Sequence, residues 1–216
     1  TEACQVYGID NAGGNIRDAS KFACHGTAIG TVPVGSQLKR RGARPGDILI
    51  SIGECGLFAT AYLKGKKYGF DKLSEFDKMR LIRPQARIRE MQLLHSHRLI
   101  TAASDNSDGV LGTVWNIAEA SECSIEIDMR PETLPDSVVR AASEFGYDPW
   151  NLMFFWGDWQ VIAAIAGDKI KDFWRIVDKN HIPVQPLGRC CEGPPQLVGV
   201  SAGRKHRLKL LRNENF

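Results

Sequence analysis

Apolar and polar positions divide the chain into short runs that read as strands alternating with helices. Asp47 to Ile52 is an apolar run of strand length, and Leu99 to Ala103 is another. Each ends in a glycine-containing turn and leads into helical spacing. After the first, Gly53-Glu54-Cys55-Gly56 turns the chain into a helix beginning near Leu57. After the second, Asp105-Asn106-Ser107-Asp108-Gly109 precedes Val110, Val114, Ile117, Ala118 and Ser121, which recur on one helix face.

Ser124 to Asp128 alternates in polarity as a strand does. Pro135 to Gly146 predicts a helix with Asp136 in its first turn, and residues 154–166 pass from an aromatic loop into an apolar strand. Asp168 to Lys179 is amphipathic, with Ile170, Phe173, Trp174 and Val177 inward, and residues 181–200 read as a closing hairpin. Between these, residues 64–78 are charged and glycine-spaced, which predicts a surface excursion. A helix with Ile88, Met91 and Leu94 or His95 inward follows Arg83-Pro84-Gln85-Ala86-Arg87. The opening is less regular: Glu2 to Tyr7 suits the tail of a helix ended by Gly8, 11–18 is turn-rich, and Phe22 to Val32 is a strand candidate bent by glycines. Pro33 to Gly46 has linker composition. The division expected is a remnant over 1–33, a linker over 34–44 and a main domain over 45–216. Alternating elements with antiparallel closing strands place that domain in the α/β (α+β) class, as a layered sheet with helices.

At 216 residues and 43% hydrophobic, the chain can fill one good-sized core. A formal charge of +3 gives no reason to expect nucleic acid or a membrane as a partner. Local basic clusters occur at Lys39-Arg40-Arg41 with Arg44, and at Arg204 to Arg207 with Lys209 and Arg212; a phosphate-bearing substrate would suit either. The six cysteines form no CxxC pair and are read as reduced thiols in a cytoplasmic protein. Cys24-His25, Cys190-Cys191, His95 and His97 lack the spacing of a metal site. No apolar run is long enough to cross a bilayer. The start at Thr1 reads as a cut.

The 105–109 corner is where chemistry concentrates. Helix-start N–H groups favour an anion, and Asp105 and Asp108 could hold Mg²⁺ at the same corner. An aspartate cap with a glycine turn would explain either carboxylate by itself. Two aspartates flanking Ser107 are more than a cap requires.

The string "ASDNSDGVLGTVWNIAEAS" resembles the "DxSDGL" segment of thiamine-monophosphate kinases, members of the superfamily of aminoimidazole ribonucleotide synthetase, selenophosphate synthetase and the hydrogenase-maturation dehydratase. Ser107-Asp108-Gly109 points to the kinase branch. "LKRRGARPGDILISIGECG" resembles the opening of that superfamily's second domain. Residues 22–32 and Gly13-Gly14-Asn15 resemble the end of its N-terminal ATP-binding domain, with Asn15 where the kinases carry Asp. "FFWGDWQVIAAIA" resembles the kinases' "GGEDYELLF", keeping Asp158, with Trp159 for Tyr and Gln160 for Glu.

The resemblance implies a mixed sheet with helices on one face, and phosphoryl transfer from ATP with Mg²⁺ to a small, phosphorylated acceptor. It implies that Asp105 and Asp108 hold metal, Ser107 contacts the transferred group, and Gly13, Gly14, Asn15, Gly53 and Gly56 face the nucleotide. Asp158, Trp159 and Gln160 would border the acceptor. A homodimer is expected of the full-length protein, and no ATP turnover of this chain alone. Two other readings stay open: another ATP-dependent synthetase of the superfamily, or a non-catalytic binding or dimerisation relative, to which the two carboxylate losses at Asn15 and Gln160 lend weight.

Overall fold

The computed structural model describes residues 2–209. The chain divides into two units, Thr1–Gln37 and Leu38–Phe216. The first contains one short helix, α1 (Glu2–Tyr7), closed where Gly8 takes a positive φ of 65°. Residues 22–32, expected as a strand, carry no regular secondary structure, and Phe22 and Ile29 are almost fully exposed. A strand needs a neighbour for its backbone groups and a core for one face, and neither is present within this unit.

The second unit is a seven-stranded mixed sheet: β1 (Ile48–Ile52), β2 (Ile100–Asn106), β3 (Ser124–Asp128), β4 (Gln160–Ile165), β5 (Val184–Cys191), β6 (Gln196–Ser201) and β7 (Arg204–Arg207), ordered β2-β4-β1-β5-β3-β6-β7. All neighbours are antiparallel except β3 and β6. Its helices are α2 (Leu57–Tyr68), α3 (Glu75–Ile82), α4 (Ile88–Ser96), α5 (Val110–Ser121), α6 (Asp136–Phe145), α7 (Pro149–Met153) and α8 (Ile170–Asn180).

Helices cover both faces rather than one. Strand alternation sends Leu49, Ile162 and Ala164 to a core shared with Val110, Val114 and Ile117 of α5. The intervening Ile50, Ile52, Ala163 and Ile165 pack against Leu94 of α4 and Phe173, Ile176 and Val177 of α8. A third cluster joins Leu57 and Ala59 of α2 to Val138 and Ala141 of α6 and Leu152 of α7. Two-sided burial explains why β1 and β4 read as continuous apolar runs.

Two further expectations change. Residues 64–78 are largely helical: α2 runs to Tyr68, and α3 opens on Ser74, whose Oγ accepts the Asp77 N–H at 3.1 Å. The closing strands β5 and β6 are not a hairpin, because β3 lies between them and pairs with both. The link 192–195 reaches roughly 13 Å extended, enough to step over one strand at a spacing of ~4.8 Å per ladder. Where β5 passes β3, a Cβ on Gly188 would lie 1.9 Å from the Glu126 carbonyl oxygen, so only glycine fits.

Candidate functional site

The sheet brings two sequence-distant segments together at the end of the β2–β4 pair. Asn106 faces Gln160 in the register. Beyond it, the Gly157 N–H donates to the Ser107 carbonyl and the Trp159 N–H to the Asn106 carbonyl, both at 3.3 Å. The 105–109 corner and the 157–160 loop are therefore one structure, built on a strand pair with cores on both sides.

Asp105 lies within β2, one pleat from the buried Asn106, so its side chain points outward and is 65% exposed. Its Oδ2 accepts the Ser107 hydroxyl at 3.0 Å. Asp108 is exposed on the turn that follows. The turn is fixed from below: the Thr113 hydroxyl donates to the Asp105 carbonyl at 3.1 Å and to Asn106 Oδ1 at 3.3 Å. Gly109, at φ 94°, starts α5 with no side-chain cap, and a Cβ there would meet the Phe154 carbonyl at 2.7 Å. That close approach binds the corner to the aromatic segment before β4.

Trp159 is 48% exposed and holds φ at 56°. A bulky side chain in the left-handed region is an outlier that surrounding structure must enforce. Its flanking residues supply the enforcement, because both are buried and hydrogen-bonded. Asp158 Oδ2 accepts the Gly56 N–H at 2.6 Å and Oδ1 the Phe58 N–H at 2.9 Å. Burial raises its pKa to about 6 against the lowering effect of those N–H groups. Gln160 Oε1 accepts Arg87 Nε at 2.8 Å, while its amide donates to the Asp158 carbonyl at 3.0 Å. Arg87 is itself buried and paired with Glu90 at 3.1 Å.

The Gly53–Gly56 turn is closed by the same groups. Three of its N–H donors are engaged: Gly53 with the Pro183 carbonyl at 2.7 Å, Cys55 with Gln185 Oε1 at 2.8 Å, and Gly56 with Asp158. A Cβ on Gly53 would lie 1.8 Å from Gln160 Oε1. The glycines thus serve close packing, and a carboxylate of the chain itself occupies the start of α2 as an anion would. Burial pushes the Cys55 thiol beside it well up, so it stays neutral. In the first unit, the Gly13 N–H donates to Asn11 Oδ1 at 3.0 Å, and Gly14 and Asn15 are exposed.

From sequence, Arg40 is visible only as part of a basic cluster and Arg87 has no role. Arg40 Nε donates to Ser104 Oγ at 3.2 Å, and its Nη2 lies 3.8 Å from Asp105 Oδ1. The basic run at 39–41 was its signal. Arg87 gave no local signal, since its partner Gln160 is far away in sequence. Among the described residues no cluster of three His, Cys, Asp or Glu side chains is placed to hold a metal ion.

A layered α/β unit with an exposed carboxylate corner at one sheet end is the class that fold and site define. Residues 44–199 match the family described as AIR synthase related protein, C-terminal domain, and the chain belongs to that family, on the thiamine-monophosphate kinase branch of its superfamily. Thiamine-monophosphate kinase from Methanospirillum hungatei JF-1 is 28% identical over 194 residues, covering 88% of this chain and 59% of the relative. The Escherichia coli K12 kinase is 34% identical over 114 residues, 51% of this chain and 34% of the relative. Among solved structures, thiamine-monophosphate kinase from Stenotrophomonas maltophilia K279a superposes with a TM-score of 0.68 at 22% identity, covering 78% of this chain and 54% of its own. The Escherichia coli hydrogenase maturation protein HypE also gives 0.68, at 20% identity over 87% and 56%. The chain spans little more than half the length of the Methanospirillum hungatei kinase and of the two solved structures, and no helix among its described residues is long and apolar enough to cross a membrane.

Proposed function

We propose that this chain forms the acceptor-facing half of an ATP-dependent phosphotransferase resembling thiamine-monophosphate kinase. The observation that carries it is the coupling of the Asp105–Ser107 edge to Trp159 through two backbone hydrogen bonds. It sets exposed carboxylates beside a half-exposed aromatic ring on a rigid strand pair. Phosphoryl transfer needs little else from the protein than positioning and charge neutralisation.

The donor set at the corner fits Mg²⁺: carboxylate oxygens on an exposed turn are hard ligands. Mg²⁺ is commonly held by one or two carboxylates, with phosphates and water completing its shell, so Asp105 and Asp108 suffice. When bound, the ion would neutralise charge on the transferring group. Ser107, now donating to Asp105, would turn its hydroxyl toward that group, and Arg40 would add positive charge at the same edge. Trp159 would meet the acceptor, with Asp158 and Gln160 holding the ring in place from behind. Gly13, Gly14 and Asn15 would face the triphosphate, whereas Gly53 and Gly56 would support the site by packing. A second copy of the chain is the expected partner in the full-length protein, and the cytoplasm its expected place.

One observation favours a non-catalytic relative instead. Gln160 stands where the resemblance expects a glutamate, and its amide is committed to Arg87 and Asp158.

The complete protein, given Mg²⁺, ATP and thiamine monophosphate, should form ADP and a phosphorylated acceptor in equal amounts. ADP with free phosphate alone would overturn the kinase reading in favour of a synthetase, and no turnover would favour the non-catalytic one. The 216-residue chain by itself should consume no ATP above a blank.

A further inference from the structure

The basic run at 204–207 lies on β7, at the edge of the sheet farthest from β2, and all four of its residues are exposed. The strand returns from β6 through the two-residue loop Ala202-Gly203, at φ 47° and 74°. Positive φ at both positions suits so short a hairpin, and the loop fixes the phase of the ladder. The Leu208 N–H donates to the Leu197 carbonyl at 2.9 Å, so His206 with Gly199 and Arg204 with Ser201 are the hydrogen-bonded pairs. The alternate residues, Lys205 and Arg207, therefore aim their backbone N–H and C=O groups away from β6. Among the described residues no strand lies beyond them.

Short, charged edge strands keep sheets from associating, and that alone accounts for a cationic β7. The device is selective, because Arg-Lys-His-Arg repels a second copy of itself but attracts a strand that carries carboxylates. Its positive charge is also only partly answered within the fold. Lys205 and Arg189 both bond Glu126, which leaves one carboxylate between two cations. Asp128, the next carboxylate on that face of β3, is held by Arg130 at 2.6 Å. Arg204 and Arg207 have no hydrogen-bond or ion-pair partner among the described residues.

We propose that the outer edge of β7 docks an acidic, extended segment of a partner protein, which joins the sheet as a further strand. The N–H and C=O groups of Lys205 and Arg207 supply its main-chain hydrogen bonds. Its alternate side chains meet Lys205 and Arg207 on one face of the sheet and Arg204 on the other. A nucleic acid would satisfy the cations, but it lacks the alternating backbone donors and acceptors that this edge presents. Because β2 lies at the opposite edge, the surface shares no residue with the Asp105–Asp108 corner, and it stands whether or not the protein transfers phosphate.

Calorimetric titration of the chain with a short capped peptide of alternating glutamate and valine tests it. The peptide should bind saturably, and at least tenfold more tightly than the same peptide with every backbone amide methylated, which keeps the charge and removes the donors. A lysine–valine peptide should not bind. The double variant Arg204→Gln, Arg207→Gln should weaken binding at least tenfold at an unchanged melting temperature. In amide hydrogen exchange followed by NMR, the Lys205 and Arg207 N–H groups should exchange freely in the chain alone while that of His206 is protected. The peptide should slow both at least tenfold. No saturable binding in the millimolar range would overturn the proposal. So would equal affinity for the methylated peptide or for a single-stranded oligonucleotide of the same charge, either of which would reduce the edge to a polyanion surface. Peptide binding without slowed exchange at Lys205 and Arg207 would remove the partner from β7.

Discussion

The turns after β1 and after β2 are built from similar sequence and end in opposite states. Both leave an apolar strand, pass through a glycine with positive φ at the helix start, and open a twelve-residue helix with no side-chain cap from that glycine. After β1 the helix start is closed: Asp158, some hundred positions away, takes the Gly56 and Phe58 N–H groups, and Gln160 fills the space against Gly53. After β2 the turn stays open, with Asp105 exposed and its oxygen bonded to the neighbouring Ser107 hydroxyl and facing Arg40. Whether a strand–glycine–helix turn becomes scaffold or site is decided by what the rest of the fold brings to it. Here one segment, 157–160, does both: its buried residues close the first turn and its exposed tryptophan borders the second.

The largest effect should separate the turns by activity. In the complete protein, Asp105→Asn and Asp108→Asn should each lower turnover by roughly 100-fold or more, the scale of losing one electrostatic contact to a transition state. Because both positions are exposed, stability should change by no more than ~0.5 kcal/mol. The double variant should be little worse than either single one if the two share a metal. Turnover, melting temperature and the magnesium concentration for half-activity decide it. Early melting with normal turnover of the folded fraction would reduce the corner to a turn.

Asp158→Ala should behave in the opposite way. It leaves the buried Gly56 and Phe58 N–H groups without their acceptor, which should cost about 2–3 kcal/mol. Denaturant unfolding of this variant beside Asp105→Ala would test the contrast, and equal losses would erase it.

The state of that carboxylate gives the next effect. Its folded pKa of about 6 lies above the ordinary 3.8, so the folded protein favours the protonated form. The stabilisation from this group is therefore fully present below about pH 4 and lost as pH rises through 6. Each pH unit between the two values is worth ~1.4 kcal/mol. Asp158→Asn removes this dependence. Wild type should lose up to about 2–3 kcal/mol relative to the variant between pH 4 and pH 7. A constant difference across that range would mean that the N–H groups hold the carboxylate ionised throughout.

Local periodicity made much of this fold legible. The apolar spacing of Val110, Val114, Ile117 and Ala118 is the buried face of α5, and Ser124–Asp128 is β3 as read. The helix at 75–82 escaped notice because its charged residues mask an apolar stripe. Its signal was the Ser74-to-Asp77 cap, which the fold reinforces by pairing Asp77 with Lys64 at 3.1 Å. Insertion of β3 between β5 and β6 could not be read locally, since strand order depends on pairing across the whole chain. The same limit applies at the corner. Its residues were visible as a motif, but the bonds from Gly157 and Trp159, the Arg40 contact and the Arg87–Gln160 pair are all long-range.

The smallest expected effect concerns Trp159, where backbone and side chain can be separated. At φ 56° any residue with a Cβ is strained, at a cost of about 1–2 kcal/mol, whereas glycine is not. Trp159→Gly should therefore be more stable than Trp159→Ala by about 1 kcal/mol, although glycine is normally the less stable of the two in regular structure. Both variants lose the same ring. If that ring lines the acceptor site, thiamine monophosphate affinity in the complete protein should fall alike in the two, with nucleotide affinity unchanged. An alanine variant as stable as the glycine one would show that the left-handed conformation is not enforced by Asp158 and Gln160. Unchanged acceptor affinity in both would remove Trp159 from the site and leave its exposed face without a ligand.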